Sequence, residues 1–151
     1  MDAFLYPIHL RWADMDPNFH LRHEVYYSLG AQARVEMLFA SGVTPEVMQQ
    51  AHLGPILFRE ECLFKREIRL GDQVDLLVRL SKARADGSCW SFRNEFMRKD
   101  GQLCAVLNVE GAWIDTQKRK IAILPAELMH RFLDLPHSAD VELLAPSASR
   151  S

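Results

Sequence analysis

Apolar and polar side chains alternate along most of the chain after residue 55, which is the pattern of half-buried β-strands. The alternation covers residues 56–70, 74–80 and 90–96, and a nearly continuous apolar run follows over 103–115. Turn signals separate these runs at Gly71-Asp72, Asp86-Gly87 and Asp100-Gly101. Asp-Gly pairs are typical of tight hairpins. The pattern therefore predicts four long antiparallel strands joined by short turns, with 103–115 at a central position.

The first 55 residues combine one strand pattern with two helical patterns. Residues 5–13 alternate and predict a strand, and a polar passage follows over 14–23. Residues 24–40 predict an amphipathic helix, because their apolar positions recur at steps of three and four. Its apolar stripe consists of Tyr27, Ala31, Val35, Leu38 and Phe39. Gly30 lies inside this helix, where either a close approach to a sheet or simple tolerance explains it. Thr44-Pro45 begins a short second helix, and Pro125 begins a terminal one.

This order of elements predicts an α+β fold in which a long antiparallel β-sheet wraps around one central α-helix. We expect a single domain over residues 1–137 and a flexible C-terminal tail over 138–151, where Ala, Ser and Pro become frequent. The predicted strands exceed the usual five or six residues. Because one helix cannot cover such strands, we expect the remaining sheet surface to pair with another copy of the chain.

Composition is consistent with a folded domain and argues against several classes of function. The 151 residues include 48% hydrophobic ones, enough for a core without disulfides or a metal. A formal charge of −2 argues against general nucleic-acid binding. We expect neither a membrane span nor a secretory signal, because no apolar stretch of either type is visible. Three cysteines at unpaired spacings and scattered histidines predict reduced thiols, no metal site and a cytoplasmic protein.

The densest cluster of polar residues before a predicted helix is the segment 11–24. Asp16 and His23 bracket the loop between the first strand and the long helix. A carboxylate near the amides of a helix N-terminus would lie beside donors for an oxyanion. An Asp followed by Pro also caps turns, so spacing alone leaves both roles open.

The same segment resembles the signature of hot-dog-fold acyl-CoA thioesterases, in the 4-hydroxybenzoyl-CoA thioesterase and YbgC-like group. The matching positions are Trp12, Asp14, Asp16, His23, Tyr26, Tyr27 and the stretch Ala33-Arg34-Val35-Glu36-Met37-Leu38. The resemblance extends over about residues 5–133, through Phe64 to Gly71-Asp72, the Asp100-Gly101 turn and Trp113-Ile114-Asp115. It implies the hot-dog fold and hydrolysis of an acyl- or aroyl-CoA thioester, with coenzyme A as part of the substrate and no other cofactor. It also implies a homodimer or a dimer-of-dimers tetramer, with the site at the subunit interface.

The resemblance further implies roles for individual residues. Asp16 would be the catalytic carboxylate, acting as nucleophile or as the base for water, and His23 would be the loop histidine. The backbone amides of His23, Glu24 and Val25 would hold the oxyanion. We expect substrate contacts from the loop, the start of the helix and the second strand, namely from Trp12, Phe19, His20, Arg22, Tyr26, Tyr27, Phe58 and Glu60.

Two positions depart from the family pattern, and both leave alternatives open. Phe19 replaces part of a small, Gly-containing loop, and Arg22 stands where a neutral polar residue is common. These changes fit a narrowed pocket, a cation for a carboxylated acyl group or a loss of hydrolysis. The alternatives to an acyl-CoA thioesterase are therefore an acyl-carrier-protein thioesterase and a non-catalytic module that binds acyl thioesters. Six cations either form a patch for CoA phosphates or are scattered in solvent, namely Lys65, Arg66, Arg69, Arg93, Arg98 and Lys99.

Overall fold

The fold was obtained as a computed structural model, which describes residues 2–146. Seven strands form one sheet: β1 (Phe4–Pro7), β2 (Leu53–Phe64), β3 (Val74–Arg84), β4 (Cys89–Arg98), β5 (Leu103–Asp115), β6 (Lys120–Ile121) and β7 (His137–Leu144). Three helices accompany it: α1 (His23–Ala40), α2 (Pro45–Gln50) and α3 (Ala126–Leu133). The predicted α+β class and the order of its long elements are confirmed. None of the helices in this described part of the chain is long and apolar enough to cross a membrane.

The sheet has the strand order β1-β3-β4-β5-β2, while β6 pairs with β5 and β7 pairs with β3. The pairs among β2 to β5 are antiparallel, and β5 lies between β4 and β2 as its apolar sequence predicts. Gly87 and Gly101 have φ values of 76° and 86° in the turns after β3 and β4. These positive values explain the Asp-Gly pairs, since glycine adopts them without steric cost. The opposite edge of β2 has no partner among residues 2–146.

Helix α1 packs against the sheet with a different face from the predicted one. Ala31, Val35 and Phe39 are exposed, and the buried positions are Val25, Tyr26, Gly30, Ala33, Arg34, Met37 and Leu38. The predicted apolar stripe is therefore wrong at three of its five positions, and only Leu38 is buried and Tyr27 half-buried. The reason is the close approach of the helix to β5 at Gly30, where a Cβ atom would overlap Cδ2 of Leu107. Gly30 is therefore explained by a close approach of the helix to the sheet and not by simple tolerance.

The N-terminal strand is shorter than the predicted 5–13. β1 pairs with β3 from Phe4, opposite Val78, to Pro7, opposite Asp75. Because β3 begins at Val74, the chain has no strand to pair with beyond that point. It turns instead into a short 3-10 helix at Trp12–Asp14, which leads into the polar loop.

The expectation of a flexible tail from Ser138 is wrong for residues up to Leu144. The segment His137–Leu144 forms β7, which runs parallel to the second half of β3. The short β1 covers only the first half of that edge, so the second half offers free backbone groups to a further strand. The domain thus extends beyond residue 137, and the rest of the predicted tail, 147–151, lies outside the described residues.

Candidate active site

Asp14 anchors the loop that precedes α1. Its buried carboxylate accepts hydrogen bonds from Nη2 of Arg11 at 2.8 Å and from Nε and the backbone amide of Arg11, both at 3.1 Å. Its carbonyl accepts a hydrogen bond from the amide of Arg22 at 3.0 Å. The hydrogen bonds from Arg11 hold the pKa of the Asp14 carboxyl below its usual range. Asp14 is therefore a fixed, ionised group that ties the start of the loop to the start of the helix.

Asp16 lies on the same loop, with one side of its carboxylate bound and the other open. Oδ1 accepts hydrogen bonds from the backbone amides of Asn18 at 2.8 Å and His20 at 2.9 Å. Oδ2 has only Nδ1 of His20 nearby, at 4.0 Å, among the residues described. The side chain is 33% exposed. Asp16 thus caps the loop through Oδ1, and this capping leaves Oδ2 without a hydrogen bond among the described residues.

His20, rather than His23, is the histidine beside Asp16. Its Nε2 lies 3.1 Å from Oε2 of Glu67, which orients the imidazole ring between the two carboxylates. The side chain of His23 is 84% exposed, and its Nδ1 lies 3.5 Å from Glu24. The sequence alone does not indicate which of the two histidines lies beside Asp16, because that depends on how the loop folds back.

The first turn of α1 provides free backbone amides at the end of this loop. The helix begins at His23 and no side chain caps it. The amides of His23 and Glu24 have no carbonyl one turn earlier within the helix to bind. The amide of Val25 donates to the carbonyl of Arg22 at 3.0 Å, so this third predicted oxyanion donor is occupied.

A cavity of about 330 Å³ lies between the start of α1 and the end of β2. Its walls are formed by His20, Leu21, His23, Tyr26, Phe64, Lys65, Arg66, Glu67 and Ile68. Tyr26 and Phe64 meet there edge to face, with ring centroids 5.0 Å apart. Burial raises the pKa of the Tyr26 hydroxyl above its usual value, so this group stays neutral in the wall. Of the predicted site residues, His20, His23 and Tyr26 line this cavity together.

Trp12 and Phe19 lie at the surface beside the loop, and neither lines the cavity. They are 69% and 52% exposed, and their ring centroids are 5.5 Å apart. Phe19 has a φ of 64°, a left-handed conformation that glycine adopts more easily. Arg22 is exposed, and its Nε lies 3.4 Å from Glu24.

The remaining predicted contacts lie elsewhere. Phe58 is exposed on β2, beside a different groove formed with Trp90 and Lys82. Tyr27 packs against the edge of the core. Glu60 points inward on β2, where its buried Oε2 finds no hydrogen-bond partner among the described residues.

Arg34 is a buried charged residue that the sequence did not single out as unusual. It lies beside Glu60 and Asn94, and its Nη1 is 3.4 Å from Oδ1 of Asn94. Burial lowers the pKa of the guanidinium to about 10 despite the nearby Glu60 carboxylate. The Asn94 amide also donates to the carbonyl of Leu107 at 2.9 Å, which is a hydrogen bond from β4 to β5. Residues 2–146 contain no group of three potential ligands that is placed to hold a metal ion.

Comparison with known proteins places this geometry in a family. The sequence profile of the thioesterase-like superfamily matches residues 10–132, while no curated protein sequence matches significantly. A Staphylococcus aureus protein solved in complex with CoA shares 15% identity over 91% of this chain and 88% of its own, with a TM-score of 0.80. A 1,4-dihydroxy-2-naphthoyl-CoA thioesterase from Synechocystis shares 19% identity over 90% of this chain and 99% of its own, with a TM-score of 0.77. The chain therefore belongs to the thioesterase-like superfamily, has the hot-dog fold and is a thioester hydrolase.

Proposed function

We propose that the protein hydrolyses acyl-CoA thioesters and that Asp16 carries the reaction. The observation behind this proposal is the open Oδ2 of Asp16, on a loop that leads directly to the uncapped start of α1 and the neighbouring cavity. The CoA thioesters named for similar structures support the choice of substrate class.

The chemistry needs few groups, because the leaving group is a good one. A thiol has a pKa of about 8.5, so a thiolate departs with little help from a general acid. As a nucleophile, Asp16 would attack the carbonyl carbon and expel the thiolate, and water would then hydrolyse the resulting anhydride. As a base, it would take a proton from the water that attacks the same carbon. Either route releases a carboxylic acid and a thiol.

The negative charge that forms on the carbonyl oxygen needs donors, and the start of α1 supplies them. The amides of His23 and Glu24 point out of the first turn, where the helix dipole also favours an anion. His20 would help to position the Asp16 carboxylate, since its own ring is oriented by Oε2 of Glu67 at 3.1 Å. We assign His23 to the wall of the cavity that it lines, because its side chain is 84% exposed and its Nδ1 lies beside Glu24 at 3.5 Å.

We also propose a homodimer or a dimer of dimers in the cytoplasm. The free edge of β2 is 12 residues long and carries the exposed apolar side chains of Leu57, Phe58, Leu63 and Phe64. Such an edge invites pairing with another strand, and a second copy of β2 would extend the sheet across the dimer. The free thiols of all three cysteines are consistent with a reducing compartment.

The alternative to catalysis by Asp16 is a purely structural role for this residue, which one observation favours. Oδ1 of Asp16 already accepts two amide hydrogen bonds, as a residue that only caps the loop would do. Hydrolysis would then not depend on the Asp16 carboxylate.

The test is a panel of purified acyl-CoA substrates, with aliphatic and aromatic acyl groups, followed by release of free thiol. Acyl-carrier-protein substrates with the same acyl chains run beside them. We expect turnover of at least one acyl-CoA and its loss in Asp16→Ala. Equal activity of Asp16→Ala and wild type would overturn the mechanism.

A further inference from the structure

Lys65 and Arg66 form a β-bulge at the end of β2. Regular pairing with β5 ends at Phe64, opposite Ala105. Beyond it the amides of Lys65 and Arg66 both donate to the carbonyl of Cys104, each at 2.9 Å. Neighbouring residues of a regular strand point to opposite faces of the sheet. In the bulge, Lys65 and Arg66 both lie opposite Cys104, so the alternation is interrupted and one side chain changes direction. Both side chains line the 330 Å³ cavity.

These two cations have no carboxylate partner in the described part of the chain. Neither Lys65 nor Arg66 forms an ion pair within 4.0 Å among residues 2–146. Both side chains are exposed, so a ligand can reach them. Their neighbours are paired: Nη2 of Arg69 lies 3.3 Å from Glu67, and Nη2 of Arg98 lies 2.8 Å from Asp100. Of six candidate cations in the sequence, the fold thus leaves these two unpaired at the cavity.

One carboxylate, that of Glu67, also lines the cavity, but it already contacts His20 and Arg69. Its Oε2 lies 3.1 Å from Nε2 of His20 and 3.3 Å from Nη2 of Arg69. The deeper wall is apolar and includes Leu21, Tyr26 and Ile68, all of them buried. The cavity therefore combines an apolar interior with an uncompensated positive rim.

We propose that Lys65 and Arg66 bind the phosphate groups of a CoA thioester, which rests on the proposed function. Guanidinium and ammonium groups are the side chains that proteins use for phosphate, through charge-assisted hydrogen bonds. A CoA thioester presents several phosphates at the end of a flexible arm, so its phosphates can remain at the rim while the arm enters the cavity. An acidic carrier protein would meet the same charges, but the concave placement of both side chains favours a small ligand.

The experiment compares substrates that share one acyl-pantetheine arm and differ in the phosphate-bearing group attached to it. These are the acyl-CoA, the acyl-dephospho-CoA, the acyl-pantetheine and the acyl-carrier protein. In Lys65→Ala/Arg66→Ala we expect KM for acyl-CoA to rise about 10–100-fold with kcat retained, and the effect to be absent for acyl-pantetheine. A reduced effect on acyl-dephospho-CoA assigns the contact to the 3'-phosphate, and an equal effect assigns it to the diphosphate. The salt dependence of KM should also become shallower.

The matched control is Lys118→Ala/Arg119→Ala, which removes the same two charges at the opposite end of β5. That pair follows Asp115, the last residue of β5, whereas Cys104 lies at its beginning. The control should keep the wild-type KM for acyl-CoA. An equal loss in the control, an equal loss with acyl-pantetheine, or a loss confined to the carrier protein would overturn the proposal.

The proposal can fail separately from the proposed function. Calorimetry of CoA with wild type and the Lys65→Ala/Arg66→Ala variant needs no turnover. Weaker binding by the variant, by the same 10–100-fold, would support the phosphate site even if no substrate is hydrolysed. Equal CoA affinity in both proteins would overturn it even if wild type is an active thioesterase.

Discussion

Replacement of Gly30 by alanine should destabilise the fold, although helices ordinarily favour alanine by about 1 kcal/mol. At this position the added Cβ would overlap Cδ2 of Leu107 and lie 3.1 Å from Nη1 of Arg34. Leu107 is fully buried, so any movement of its side chain must displace its neighbours in the core. Overpacking of this kind costs about 1–3 kcal/mol. The two effects together predict a net loss of up to about 2 kcal/mol in the free energy of unfolding.

Urea unfolding of wild type and Gly30→Ala measures this loss directly. A second pair of proteins carries Leu107→Val, which removes the clashing Cδ2 atom. In that background Gly30→Ala should stabilise the protein by about 1 kcal/mol, so the sign of its effect reverses. Ala31→Gly at the neighbouring exposed position supplies the ordinary helix preference as a control. If Gly30→Ala stabilises both backgrounds equally, close packing against β5 is not the reason for the glycine.

Three further predictions concern the loop and the thiols. Because Arg11 lowers the pKa of Asp14, their interaction stabilises the fold above about pH 4 and is lost as the pH falls through that lowered pKa. Arg11→Met should therefore move the midpoint of acid unfolding to higher pH, and an unchanged midpoint would contradict this. Phe19→Gly should be about 1 kcal/mol more stable than Phe19→Ala in urea, since both lose the ring and only glycine relieves the positive φ; the opposite order would show that the backbone is not strained. Burial raises the pKa of the Cys62 thiol to about 11, so iodoacetamide at about pH 8 should label it only after unfolding. Rapid labelling of the folded protein, read by mass spectrometry, would argue against that burial.

The sequence was sufficient to predict the parts of the fold that depend on local pattern. Long alternating runs separated by Asp-Gly pairs predicted the hairpins of the sheet, and Thr44-Pro45 predicted α2, whose first turn is capped by Thr44 Oγ1 at 3.3 Å from the Val47 amide. The buried face of α1 could not be predicted in this way. Apolar side chains lie on two faces of that helix, and the face that packs on β5 is the one on which Gly30 permits a close approach to Leu107.

Other features depend on which backbone groups remain unpaired after the sheet has formed. β7 occupies an edge of β3 that is free only because β1 ends at Pro7. At the candidate site, Asp16 could be proposed from its position before the helix, whereas its proximity to His20 depends on how the loop folds back. The convergence of Lys65 and Arg66 requires a bulge that breaks an otherwise regular alternation.

The central claim is that the Asp16 carboxylate performs catalysis in addition to capping its loop, and Asp16→Asn tests it most directly. The amide oxygen of asparagine can still accept the hydrogen bonds from Asn18 and His20, so the loop and the stability should be retained. The matched control is Asp72→Asn, which changes a carboxylate that caps a turn by accepting from the Arg69 amide at 2.8 Å. We predict that kcat/KM for the best acyl-CoA falls about 10²–10⁴-fold in Asp16→Asn and stays at the wild-type value in Asp72→Asn. A folded Asp16→Asn protein with wild-type kcat/KM would contradict the account.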